Sequence, residues 1–144
     1  MTKTYLLING KQTDLASHLS RARTIVTLGL ASDAAYNVIA LDSDSDADIF
    51  QCQFTQSAEG WSIQNGQWRT DCPKGILSRL QHACAMCMGR CVNTHPARPT
   101  YGWRLPSSPT LLNGQSLTTD SVLLQHGDVI LVGNLSIPVV VESV

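Results

Sequence analysis

Leu124-Gln-His-Gly-Asp-Val-Ile-Leu-Val-Gly133 is the stretch whose reading decides the fold. His126-Gly127-Asp128 is turn chemistry, Val129-Ile-Leu-Val132 is an apolar run of strand length, and Gly133 stops it. Ile137-Pro-Val-Val-Val141 follows at once as a second run. Upstream, Val122-Leu-Leu124 and Thr110-Leu-Leu-Asn-Gly114 continue the same rhythm of short strands and turns. Asn-Gly pairs recur at positions 9, 65 and 113, and such pairs accept the positive φ that hairpin turns require. Short strands at regular spacing predict an all-β sandwich.

The front half agrees. Tyr5-Leu-Leu-Ile8 runs into Asn9-Gly10, and Asp14 is placed to cap a short helix whose apolar side is Leu15, Leu19 and Ala22. His18, beside them, has no assigned role. Thr24 to Leu28 reads as a strand ending at Gly29, and Asn37-Val-Ile-Ala-Leu41 as another. Phe50, Cys52 and Phe54 alternate with Gln51, Gln53 and Thr55, a half-buried strand with Cys52 as a small core residue. Glu59-Gly60 turns into Trp61-Ser-Ile-Gln64, and Asn65-Gly66 turns again into Gln67-Trp-Arg-Thr70, predicting a second hairpin. Asp42-Ser-Asp-Ser-Asp-Ala-Asp48 looks like a calcium loop, but Ala47 stands at its obligatory glycine and Gln53 at its bidentate glutamate. It is an acidic loop only.

With 144 residues the chain is read as a single domain over 1–144, long enough to bury a core. No apolar run approaches a membrane span, and the first residues lack the basic-then-apolar pattern of a signal peptide, so a cytoplasmic location is expected. The net charge of −1 hides an asymmetry. Between positions 69 and 104 six basic residues face one acid, a local charge of +5 that leaves −6 on the rest of the chain. Such a basic segment meets an acidic partner or is a solvated loop.

Four motifs in order resemble the forkhead-associated (FHA) family. Leu124 to Gly133 is similar to its leucine-x-x-glycine-aspartate-x-isoleucine-x-aliphatic-glycine signature, and Thr110 to Gly114 to its threonine-x-valine-asparagine-glycine. Gly29 with Asn37-Val-Ile-Ala-Leu41, and Trp61-Ser-Ile63, resemble its earlier strands. The resemblance runs from about Thr24 to Val141 and implies an eleven-stranded-type sandwich that binds phosphothreonine peptides through loops at one end. The residues this implies for the pocket depart from the pattern. Leu30 stands at the first arginine; Asp48, Ile49 and Gln51 stand at the serine, arginine and histidine of serine-arginine-x-histidine. Pro106, Ser108 and Pro109 stand at the serine, asparagine and glycine of the later motif, although a shifted register brings in Ser32 or Ser107. A phosphate of nearly two charges needs a guanidinium and several donors. Leu30 donates nothing and Asp48 repels an anion, so the ordinary site is expected to be lost.

The motifs are interrupted by a cysteine-rich insert over 72–100. Cys84 and Cys87 have the Cys-x-x-Cys spacing that presents two sulfurs from one turn; Cys91 adds a third and Cys72, in a Cys-Pro-x-Gly context, a fourth. His82 and His95 are the alternates. In an unbroken helix Cys84 and Cys91 are about 10 Å apart along the axis, so a shared ion requires a knuckle or a bend near Gly89. The competing readings are a metal-free helix packing these cysteines with Met86 and Met88, a disulfide pair, and an iron–sulfur cluster. A structural zinc is the expectation, because the cluster exceeds what packing requires and four filled positions leave no open site.

No catalytic constellation is evident, and a non-enzymatic protein-interaction module of scaffold or adaptor type is expected. Its partner is expected to be a protein, phosphoproteins included, in preference to nucleic acid or a membrane. Arg69, Arg90, Arg98, Arg104, Ser107, Ser108 and Asn113 are the candidate contacts. Phosphothreonine binding through non-standard residues, and nucleic-acid binding by the basic insert with Trp68 and Trp103 as stacking groups, are the alternatives.

Overall fold

The computed structural model describes residues 2–32, 37–42, 45–69 and 102–143. Among these, strands dominate: β1 (Thr2–Ile8), β2 (Lys11–Asp14), β3 (Ile25–Leu30), β4 (Ile39–Leu41), β5 (Cys52–Ser57), β6 (Gly60–Asn65), β7 (Gln67–Arg69), β8 (Gly102–Arg104), β9 (Leu111–Leu112), β10 (Gln115–Ser116), β11 (Val122–Leu123), β12 (Val129–Val132) and β13 (Leu135–Ser143). They form a six-stranded sheet, β10-β9-β12-β13-β1-β2, a five-stranded sheet, β11-β6-β5-β3-β4, and a two-stranded ribbon, β7-β8. Pairing is antiparallel except between β3 and β4. The result is an all-β sandwich.

Alternation builds the core. Trp61 and Ile63 of β6 point inward, as do Ile130 and Val132 of β12 and Ile137 and Val139 of β13. They meet Leu6, Leu15, Val26, Leu28 and Phe54 in one buried cluster that takes side chains from both sheets. Each such burial stabilises the fold by about 1.5–3 kcal/mol. Cys52 belongs to this cluster. Burial pushes its thiol up to about 12, against a smaller lowering by a hydrogen bond with Thr110, so it is a packed residue without nucleophilic character.

The turns at 9 and 113 behave as their chemistry requires. Asn9 and Gly10 have φ of 52° and 79°, and Asn113 and Gly114 of 53° and 84°. Asp14 caps a 3₁₀ helix over Leu15–His18, its carboxylate accepting the Ala16 N–H at 3.0 Å. That helix is shorter than the predicted one, because the Leu19 N–H closes the turn on Ala16 and the chain then extends.

Two expectations are corrected. Asn65-Gly66 does not make a hairpin: β6 pairs with β5 and β11, whereas β7 pairs with β8. At Gly66 (φ 84°) the chain leaves the five-stranded sheet for the ribbon, passing so close to the Arg104 carbonyl that a Cβ has no room. The second concerns Gln51 and Gln53, read as the polar side of a half-buried strand. Both are buried, and Phe50 lies in the turn before β5, partly exposed. The glutamines are tolerated inside because hydrogen bonds replace their water.

Candidate functional site

One end of the sandwich, here called apical, collects the ends of β3 and β4, the 45–51 turn, the 105–110 segment and the roots of the ribbon. Gly29 lets these parts approach. A Cβ there would be driven into the Ile49 carbonyl oxygen, with Asn37 Nδ2 and the Asp48 carbonyl oxygen at 2.9 Å. The Leu30 N–H accordingly donates to the Asp48 carbonyl at 2.9 Å.

Asn37, buried just ahead of β4, ties three segments together. Its amide donates to the carbonyls of Leu30 (3.2 Å) and Ile49 (2.8 Å), and its oxygen accepts from Gln67 Nε2 (2.8 Å) and Arg69 Nη2 (3.0 Å). Gln67 Nε2 also reaches the carbonyls of Leu28 and Cys52. The first strand of the ribbon is therefore bolted to β3 and β5. Arg69, one of the candidate contacts, is buried at 6% exposure, with its guanidinium on the Asn37 oxygen.

Gln51 makes the second knot. Its Oε1 accepts the Asp48 N–H (2.9 Å), and its Nε2 donates to Thr110 Oγ1 (2.8 Å) and the Ser108 carbonyl (3.2 Å). The Thr110 hydroxyl donates back to the Gln51 carbonyl, and the Thr110 N–H donates to Asn65 Oδ1 at 2.9 Å. A buried polar network completed in this way fixes the geometry of what it supports.

What it supports is Asp48. Oδ1 accepts the Phe50 N–H at 2.9 Å, and Oδ2 accepts both the Ser107 N–H (3.1 Å) and the Ser107 hydroxyl (3.0 Å). Arg104 lies over the Phe50 ring at 4.2 Å from its centroid, with Arg69 at 5.5 Å. Partial burial alone would raise the Asp48 carboxyl. The Phe50 and Ser107 hydrogen bonds, with the charge of Arg104, outweigh it and hold the group below its ordinary 3.8. Asp48 is an ionised, tethered carboxylate at neutral pH.

Of the residues singled out from sequence, Arg104, Ser107 and Ser108 are thus brought together at the apical end. Asn113 is not. It sits where β9 turns into β10, at the Val129 end of β12, whereas Ser108 and Pro109 lie beside Gly133 at the other end. There its amide donates to Asp128 Oδ1 and its oxygen accepts the Val129 N–H, both at 2.9 Å. It closes a turn at the end away from Arg104, Ser107 and Ser108. Cys72, Cys84, Cys87, Cys91, His82, His95, Arg90 and Arg98 lie outside the described residues. Trp68 faces Trp103 across the ribbon and is 48% exposed. Sequence reasoning missed the internal roles of Asn37, Gln51 and Gln67, although Asn37 and Gln51 fall at family-pattern positions; the remaining signal was an amide side chain set among residues of strand type.

No family model matches this sequence and no curated relative does. Solved structures do match. An FHA domain of an Arabidopsis thaliana hypothetical protein superposes with a TM-score of 0.57 at 20% identity, covering 100% of this chain and 89% of its own. The fold is FHA-like. The Rv0020c FHA domain follows at 0.52 and 14% identity, with 99% and 95% covered. The FHA domain of MEK1, in complex with a phosphothreonine peptide of HOP1, follows at 0.51 and 14%, with 97% of each chain covered. At these identities the likeness concerns the fold.

Proposed function

We propose that this chain is a non-enzymatic protein-interaction module that recognises a partner protein through its apical end without the usual phosphothreonine pocket. The observation that carries this reading is Asp48. A carboxylate held below its ordinary range stands where the family pattern has a phosphate-binding serine, and the neighbouring pattern positions carry Leu30, Ile49 and the internally engaged Gln51. The peptide complex of the MEK1 FHA domain favours a protein ligand as the class. The β7–β8 ribbon, rooted on the same end through Gln67 and Asn37, supports a recognition face extended by the insert. A structural zinc held by Cys72, Cys84, Cys87 and Cys91, with His82 or His95 as a replacement ligand, is part of the proposal. Elemental analysis of untagged protein is expected to find about one zinc per chain, and a content below about a tenth of an equivalent removes it.

The test is a peptide selection run in parallel on unphosphorylated and phosphothreonine libraries, followed by mapping of the best binder on backbone amide shifts. The expected binders do not require phosphate, and their shifts cluster at 30–32, 45–51 and 102–109. Shifts confined to the Asn113–Asp128 end, or enrichment that depends strictly on phosphothreonine, overturn the reading.

A further inference from the structure

We propose that Asp48 is a resident anion, plugging a donor set that binds an oxyanion of the phosphate class once its carboxylate is removed. Two backbone N–H groups (Phe50 and Ser107) and one hydroxyl (Ser107) converge on this carboxylate, and the Arg104 guanidinium, stacked on Phe50, adds its charge without a direct contact. Oriented N–H donors with a guanidinium beside them are the chemistry that replaces the water around an oxyanion. Here the chain supplies the anion itself. The Phe50 N–H is a local donor two residues on, but both Ser107 donors lie 59 positions from Asp48, so the fold brings the two parts of the set together.

The knots beneath keep this set in place without Asp48's side chain. Gln51 Oε1 holds the Asp48 backbone N–H, Gln51 Nε2 holds the Ser108 carbonyl, and Phe50 lies under Arg104. Ser107 is exposed, so an ion from solvent reaches the donors directly. A tethered carboxylate competes with free anions at high effective concentration, which is why the native surface turns phosphate away. The inference rests on the proposed function only in placing this set on the recognition face.

The test is a titration of inorganic phosphate into wild type, Asp48→Ser and Asp48→Asn, followed through the amide resonances of Phe50 and Ser107. Serine is small enough to vacate the donors. Asp48→Ser is expected to bind phosphate with a Kd of about 1 mM, at least about tenfold tighter than wild type, and adding Ser107→Ala is expected to abolish most of the gain. Asparagine keeps an acceptor near Phe50 while losing the charge, so it is expected to give a smaller gain in a chain whose fold is preserved. Equal responses of wild type and both variants, or a gain that survives Ser107→Ala, overturn the proposal. Peptide mapping away from the apical end would sink the proposed function and leave this result standing; a failed phosphate gain would do the reverse.

Discussion

Each end of the sandwich is closed by an aspartate, and the two do different work. At the end opposite the apical one, Asp128 accepts the Asn113 amide at 2.9 Å and the Gln125 N–H at 2.8 Å. Its donors are an amide side chain and a backbone group, and both complete turns. At the apical end, Asp48 accepts two backbone N–H groups and a hydroxyl beside a guanidinium. The first carboxylate is spent on connecting β9, β12 and their turns. The second occupies donors suited to a ligand. A similar count of hydrogen bonds is a strut in one place and a stopper in the other, because the charge of Arg104 acts on the stopper and a buried amide network supports it.

That contrast has measurable consequences. The largest is expected from Gln51→Leu, which keeps the volume but leaves the Asp48 N–H and the Ser108 carbonyl without their partner and removes the bond that Thr110 Oγ1 accepts. A loss of about 2–3 kcal/mol in denaturant unfolding follows from stranding buried polar groups. A loss below about 0.5 kcal/mol would show that the apical network is not what holds Asp48 in place. Asn113→Ala is expected to cost less, about 1–2 kcal/mol, since the site is exposed and loses two hydrogen bonds and a residue type that tolerates φ of 53°. Apical amide shifts should stay unchanged in that variant; if they move, the two ends are coupled and the comparison fails.

The smallest effect concerns pH. The Asp48 carboxyl is lower in the folded chain than its ordinary 3.8, so its contribution is fully present above that value and is lost as pH falls through the lower folded value. The stability difference between wild type and Asp48→Asn should therefore be constant from neutral pH down to about 5 and shrink below about 4. A difference that grows on acidification would contradict the assignment.

The same contrast explains what could be read from the chain. The Asn113–Asp128 end lies within two compact stretches, Thr110 to Gly114 and Leu124 to Gly133, where turn chemistry and apolar alternation are local, so the strands and their turns were legible. The apical end is not local. Asp48 meets Ser107 and Gln51 meets Thr110 only after two sheets have formed, both across 59 positions. Nothing in the period of Phe50 to Phe54 distinguishes a glutamine facing solvent from one satisfied inside, which is why Gln51 and Gln53 were placed on the wrong side. The burial of Arg69 is illegible for a related reason: a guanidinium is costly to bury, and the Asn37 oxygen that receives it lies just ahead of β4, 32 positions away. The hairpin expected at Asn65-Gly66 failed because the dipeptide specifies a positive φ but not the strand that follows. Gly66 has that φ, and β7 finds β8 as its partner.

The most direct measurement of the central claim, that the apical end is closed to phosphothreonine by its own carboxylate, is a titration of the wild-type chain with a mixed phosphothreonine peptide library. The account predicts no saturable binding in the micromolar range that depends on the phosphate. Micromolar binding that vanishes on dephosphorylation and shifts the amides of Phe50 and Ser107 would contradict it.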